Sequence, residues 1–237
     1  MRFLRVVVII AVVLGALFWG VDRWAAGYAE NRLAERIQAR QGLAGSTEVD
    51  IHGFPFLTQA LSHDLDRVDV KLKGVDAVAD GRKTRLSELD ASFRQVRLNG
   101  DYSGGTARRA EGSALVTYAD LTQASQTGVT LAYGGAPGKV KVTASVDILG
   151  RTFTRSVVST VTLVDAGEGG GKVVRVRADA VPGEGIPGIE SAVRKKTDFD
   201  RRLDGGLPAG LRLDSLTSDE AGVHLVLSGQ DVVLAGS

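Results

Sequence analysis

Residues Val6 to Val21 form sixteen consecutive apolar or glycine positions, with Arg2 and Arg5 before them and Asp22-Arg23 after them. As a helix this run spans roughly 24 Å, short of a bilayer core of ~30 Å. Begun at Phe3, with Arg5 snorkelling its guanidinium to the headgroups, the helix reaches roughly 28 Å and can span. Trp19 and Trp24 then fall where an interfacial aromatic belt stands at the outer leaflet. The competing reading is a cleaved signal peptide, whose apolar stretch is normally ~7–15 residues followed by a small-x-small site. Ala25-Ala26-Gly27 has that form, but charged Asp22-Arg23 and bulky Trp24 directly precede it. The sequence therefore predicts an uncleaved anchor through residues 3–21, with the basic N-terminus inside and the remainder on the extracytoplasmic (periplasmic) side of the cell membrane.

The rest of the composition narrows function mostly by exclusion. The chain has 237 residues and no cysteine, so disulfide scaffolds, thiol nucleophiles and lipoprotein anchoring are out. A net charge of +1 excludes a nucleic-acid binder driven by bulk charge. Three scattered histidines, His52, His63 and His224, offer no metal centre, and none has a nucleophile paired to it in sequence. Gly183-Glu184-Gly185-Ile186-Pro187-Gly188 matches a dinucleotide fingerprint in letters, but Pro187 stands where a running helix is required. Asp64, Asp66 and Asp69, and the pair in Asp198-Phe199-Asp200, read as solvated positions and not as cation ligands. No catalytic residue, metal or cofactor is expected.

From Asp22 the pattern turns amphipathic, with Ala29, Leu33 and Ile37 at four-residue spacing, which predicts a helix over 22–42 that continues out of the membrane, docks on the domain as a stalk and is closed by Gly42. From Thr47 the period becomes two. Val68-Val70-Leu72, Leu89-Ala91-Phe93 and Val140 to Ile148 alternate with polar residues, as do Phe153–Val164 and Val174–Ala180. These are antiparallel strands with one wet face, joined by glycine-rich hairpins. Ala119–Ser125 reads as a turn or short helix, and Ile189–Lys196 as a helix. Near the latter, Arg194, Lys195, Lys196, Arg201 and Arg202 either hold an anionic headgroup or form a solvated face. The predicted fold is α+β: residues 43–237 form one domain dominated by a long curled antiparallel sheet, which buries its apolar face by wrapping a helix or closing toward a barrel. The inward residues, mostly Val, Leu, Ile and Ala, either pack as a plain core or leave a smooth lumen suited to an acyl chain.

The most unusual segment is Gly53-Phe54-Pro55-Phe56-Leu57-Thr58-Gln59. Pro55 holds Phe54 extended and removes a ladder donor, so a strand ends, bulges or lies at an edge here. In an extended backbone Phe54 and Phe56 project to one side and Leu57 to the other. The two rings either plug one end of the core or form the lip of an apolar cavity.

The anchor, the 53–59 run, and the late Gly-Leu-Pro-Ala-Gly-Leu-Arg-Leu at 206–213 followed by Gly222-Val223 and Gly229 together resemble the LmeA family of actinobacterial envelope proteins. The resemblance implies a TULIP-like fold, in which a curled sheet wraps a long helix to enclose a lipid tunnel. It also implies phospholipid or other acyl-chain cargo, no catalysis, and a link to lipomannan elongation. Phe54, Pro55, Phe56 and Leu57 are the positions it marks as lipid-binding, at the tunnel lip. The alternative from another class is a non-catalytic scaffold that stabilises an envelope glycosyltransferase.

Overall fold

The computed structural model describes residues 2–41, 46–79, 82–125, 128–148, 151–166, 171–180, 194, 198–202 and 207–234. Its first element, α1 (Arg2–Gln41), is one unbroken helix of 40 residues, about 60 Å long. The expected boundary at residue 21 is therefore a change of surroundings within one helix, and Gly42 lies outside the described residues. From Ile9 to Val21 every side chain is exposed, and the helix is long and apolar enough to cross a membrane by length and composition. After Val21 one face docks on the domain. Asp22 and Ala26 are buried, and Ala25, Ala29, Ala34 and Ile37 pack against the domain core. Leu33, expected on this face, is 37% exposed. The docking contact is carried mainly by alanines, whose small side chains let a helix approach a sheet closely.

Six strands form the larger sheet: β1 (Thr47–His52), β2 (Asp64–Ala79), β3 (Arg82–Leu98), β4 (Gly105–Val116), β10 (Leu211–Ser218) and β11 (Val223–Leu234). Their order is β1-β2-β3-β4-β11-β10, with every pair antiparallel. At the β1 edge the Glu30 carboxylate of α1 accepts the Ile51 N–H at 2.9 Å, so the helix occupies a donor that an exposed edge would leave to another strand.

The curl of this sheet has a local origin. Along β2 the buried positions Leu65 and Val68 are three apart, where a regular strand would place them two apart. The same interval recurs at Val96 and Phe93 on β3, Ala107 and Ala110 on β4, and Val232 and Gly229 on β11, all at one level across four neighbouring strands. Gln95 and Asp231, inside that interval, have φ of 52° and 49°. A row of kinks in register bends the strands together at this level, as local irregularities do when they re-aim a strand.

The second sheet joins β5 (Val129–Tyr133), β6 (Lys139–Ile148), β7 (Arg151–Asp165), β8 (Lys172–Ala178) and β9 (Phe199–Arg202) in that order. A short helix, α2 (Phe56–Ser62), follows β1. Another, α3 (Tyr118–Gln123), is capped by Thr117 and ties to β5 where the Leu131 N–H donates to the Thr122 hydroxyl at 2.8 Å. The expected α+β fold, a long curled antiparallel sheet laid around a helix, is what the chain adopts, with both sheets open. The helix expected at Ile189–Lys196 lies, apart from Arg194, outside the described residues.

Candidate functional site

Two features converge where α1 meets the curled sheet. The first is a latch around Asp22. Its side chain is 0% exposed, and its carboxylate accepts the amide N–H of Phe56 at 3.0 Å and of Leu57 at 2.8 Å, together with the Arg23 guanidinium at 3.1 Å. These amides are orphan donors at the start of α2, whose N-cap, Pro55, has no side-chain acceptor to offer. Helix α1 thus supplies the missing cap. Arg23 also donates to the Gly53 carbonyl at 3.0 Å and stands 6.0 Å over the Phe54 ring, which meets Phe18 edge-on at 6.5 Å.

The lipid-binding candidates are divided by this arrangement. Phe54 is 57% exposed beside α1, and Pro55 follows it half-buried. Phe56 is buried in the core with Ala26, Ile51 and Leu65, while Leu57 is half-buried. Phe54 and Phe56 therefore do not project from one face of a strand, because α2 begins at Phe56 and turns the backbone.

The second feature is the inner face of the larger sheet. Register aligns Val68, Phe93, Ala110 and Gly229 in one row, Val70, Ala91, Gly112 and Leu227 in the next, and Leu72, Leu89, Ala114 and Leu225 in a third. At the β1–β3 end these rows pack on α1, where Ile37 touches the Val70–Leu72 region. At the β11–β10 end Leu213 and Leu227 pack on the second sheet, against Val140, Val142, Val161, Val174 and Val176. Between the two clusters Ala91, Ala110, Gly112 and Ala114 have almost no side chain, while Phe93 and Leu89 stand beside them on β3, half-buried like Val70 and Leu225. The result is a shallow apolar trough floored by alanine and glycine and walled by α1 and by valines of the second sheet.

On the opposite face of the same strands lies an open groove of about 600 Å³ lined by Arg67, Asp69, Lys71, Asp90, Ser92, Glu111 and Ser113, and bordered also by Val70, Ala91, Gly112 and Leu227, which therefore owe part of their exposure to this side. Its charged walls do not suit an acyl chain. Asp69 accepts from Arg67 at 2.8 and 2.5 Å and pairs with His52 at 2.9 Å. The Arg67 guanidinium holds the Asp69 carboxyl down at about 2, outweighing burial, with help from Ser92 and His52.

Several of the remaining polar candidates are paired. Asp64 meets Arg97 at 3.2 Å, Asp200 bridges Arg175 and Arg177, and Asp198 accepts the Ala178 N–H at 2.9 Å. Arg194 lies 3.7 Å from Asp198, while the side chains of Lys195, Lys196, Arg201 and Arg202 and the glycine run at 183–188 lie outside the described residues. His63 closes α2 in the left-handed region and stacks on Tyr102 at 4.5 Å, and His224 lies 2.9 Å from Asp219. No cluster of three metal-ligating side chains occurs among the described residues.

A family model for LmeA-like phospholipid-binding proteins matches residues 20–228. The chain belongs to that family. Searches of curated proteins and of solved structures returned no match. The LmeA-like match opens just before Asp22 and closes within β11, so it takes in the latch, the trough and both sheets. Lipid binding is the property this membership supports, and the apolar trough is the feature with the chemistry for it.

Sequence reasoning missed the latch and half of the trough. Asp22 reads as the polar end of an apolar run, and its partner amides lie 34 and 35 positions away. The one available signal was a helix start behind Pro55 with no capping side chain of its own.

Proposed function

We propose that this LmeA-like protein is a single-pass, non-catalytic protein of the cell envelope, anchored through residues 3–21 with its domain on the extracytoplasmic side. It takes phospholipid acyl chains into the trough between α1 and the second sheet and exchanges them with the bilayer, serving lipoglycan (lipomannan) elongation. The observation that supports this reading is the run of small residues, Ala91, Ala110, Gly112 and Ala114, at the centre of the apolar inner face between α1 and the second sheet. Moving a methylene from water onto such a surface gains ~0.8 kcal/mol, so several suffice for binding. Moving one from a bilayer gains almost nothing, which makes the protein an exchanger with loose headgroup preference. In this reading Phe54 and Pro55 stand at the lip, Leu57 lines the way in, and Phe56 closes the end of the core.

Native mass spectrometry of the full chain, purified from cells and released from nanodiscs, tests the reading. Retained phospholipid at defined stoichiometry is expected. A spectrum of bare protein alone overturns it.

A further inference from the structure

We propose that the segment Gly53–Ser62 is a membrane-docking face that lies among the headgroups of the leaflet from which α1 emerges, with Phe54 and Leu61 inserted between lipids. This inference rests on reading residues 3–21 as the span and adds where the domain touches the membrane.

The argument is one of depth. Phe18 belongs to the apolar run, four residues before Asp22, and its ring packs edge-on against Phe54 at 6.5 Å. A ring in contact with the outer end of a span shares its depth. The segment cannot swing away, because the same helix holds it at three further points: Asp22 to the Phe56 and Leu57 amides, and Arg23 to the Gly53 carbonyl. Leu61 follows Leu57 by four residues on α2, a rise of about 6 Å, which is within the headgroup zone whatever direction that helix takes.

The chemistry of the segment agrees with its depth. From Gly53 to Ser62 there is no charged side chain. Leu61 is 79% exposed, more than any other large apolar residue among those described, and Phe54 is 57% exposed. Such residues beside an apolar helix suit an interfacial layer, where rings and aliphatic side chains gain contacts that water denies them. Trp19 and Trp24, exposed on α1 at the same level, continue the aromatic band around the helix.

The chain has no cysteine, so single labels can be placed at will. The full-length variants Leu14→Cys, Phe54→Cys, Leu61→Cys and Ser113→Cys would each carry an environment-sensitive fluorophore in phosphatidylglycerol-containing nanodiscs. Quenching by nitroxide lipids is then compared with quenching by aqueous iodide. A label at 14 should respond to a nitroxide deep in the acyl chains, and one at 113 to iodide only. At 54 and 61, a nitroxide near the headgroups should quench severalfold more than iodide. If Phe54→Cys does not fold, position 61 alone decides. A label at 14 that ignores lipid quenchers removes the span itself. Lipid quenching at 14 with iodide quenching at 61 equal to that at 113 overturns the docking face while leaving the span intact. Shielding at 61 from both quenchers signals a second copy covering the face, and it overturns the proposal too.

Discussion

The Asp22 carboxylate and the Leu57 amide meet at 2.8 Å, joining the middle of α1, where its apolar run ends, to the start of α2 35 residues later. A buried carboxylate is tolerable only with donors around it, and the amides of α2 supply two that would otherwise be orphaned. Replacing Asp22 by Ala should raise hydrogen exchange at Phe56 and Leu57 by roughly an order of magnitude, the scale of one lost helix cap. Asp22→Asn keeps one acceptor oxygen and should fall between wild type and Asp22→Ala. Exchange at Val142 in the second sheet should not change.

Gly53 has φ of +111°, a region that L side chains rarely adopt, and a Cβ there would collide with the Gln59 amide and the Asp66 carboxylate. Gly53→Ala should lower stability by about 1–3 kcal/mol, the typical cost of a strained backbone position. Urea midpoints of the two proteins check this, and equal midpoints would mean that the loop relaxes freely.

Ala91 sits at the floor of the trough, with Gly112 opposite it in register. Ala91→Phe places a ring where acyl methylenes are proposed to lie. Displacing only two of them costs ~1.6 kcal/mol, roughly tenfold in affinity. A fluorescent phospholipid should therefore bind at least that much more weakly, while circular dichroism stays native because the position is half-buried and has room to yield. Unchanged binding would move the acyl site elsewhere.

The Asp69 carboxyl, held at about 2 against an ordinary 3.8, makes the outer face acid-sensitive. A depressed carboxylate contributes stability that is complete above the unfolded value, near pH 4, and is lost as pH falls through about 2. Its side chain is 16% exposed, so after screening the Arg67 and His52 contacts are worth about 1 kcal/mol. Asp69→Asn should lose that amount at pH 6 and show a flatter decline between pH 4 and 2 in chemical denaturation.

Where the inward side chains keep a strict period of two, the sequence announces the strand. Val140, Val142 and Ala144 on β6 and Val174 and Val176 on β8 are legible for that reason. β4 is not, because its inward residues are small and the interval from Ala107 to Ala110 is three, with Arg108 and Arg109 both exposed between them. β10 hides in the same way, since its register shifts between Leu213 and Ser215. The trough depends on β4 for half of its floor, so it could be anticipated only as a choice between a filled core and a lumen. The aromatic pair at 54 and 56 was conspicuous, but its geometry was not. Whether two rings share a side depends on where α2 begins, and Asp22 settles that from a distant stretch of chain.

Because α1 runs from Arg2 to Gln41 without a break and is bolted to the sheet along its second half, the apolar segment and the domain have no joint between them. With residues 3–21 in a bilayer, such a molecule is a fixture and not a ferry. Any lipid it handles must be collected and delivered within arm's length of one leaflet, and longer journeys across the envelope would fall to other carriers.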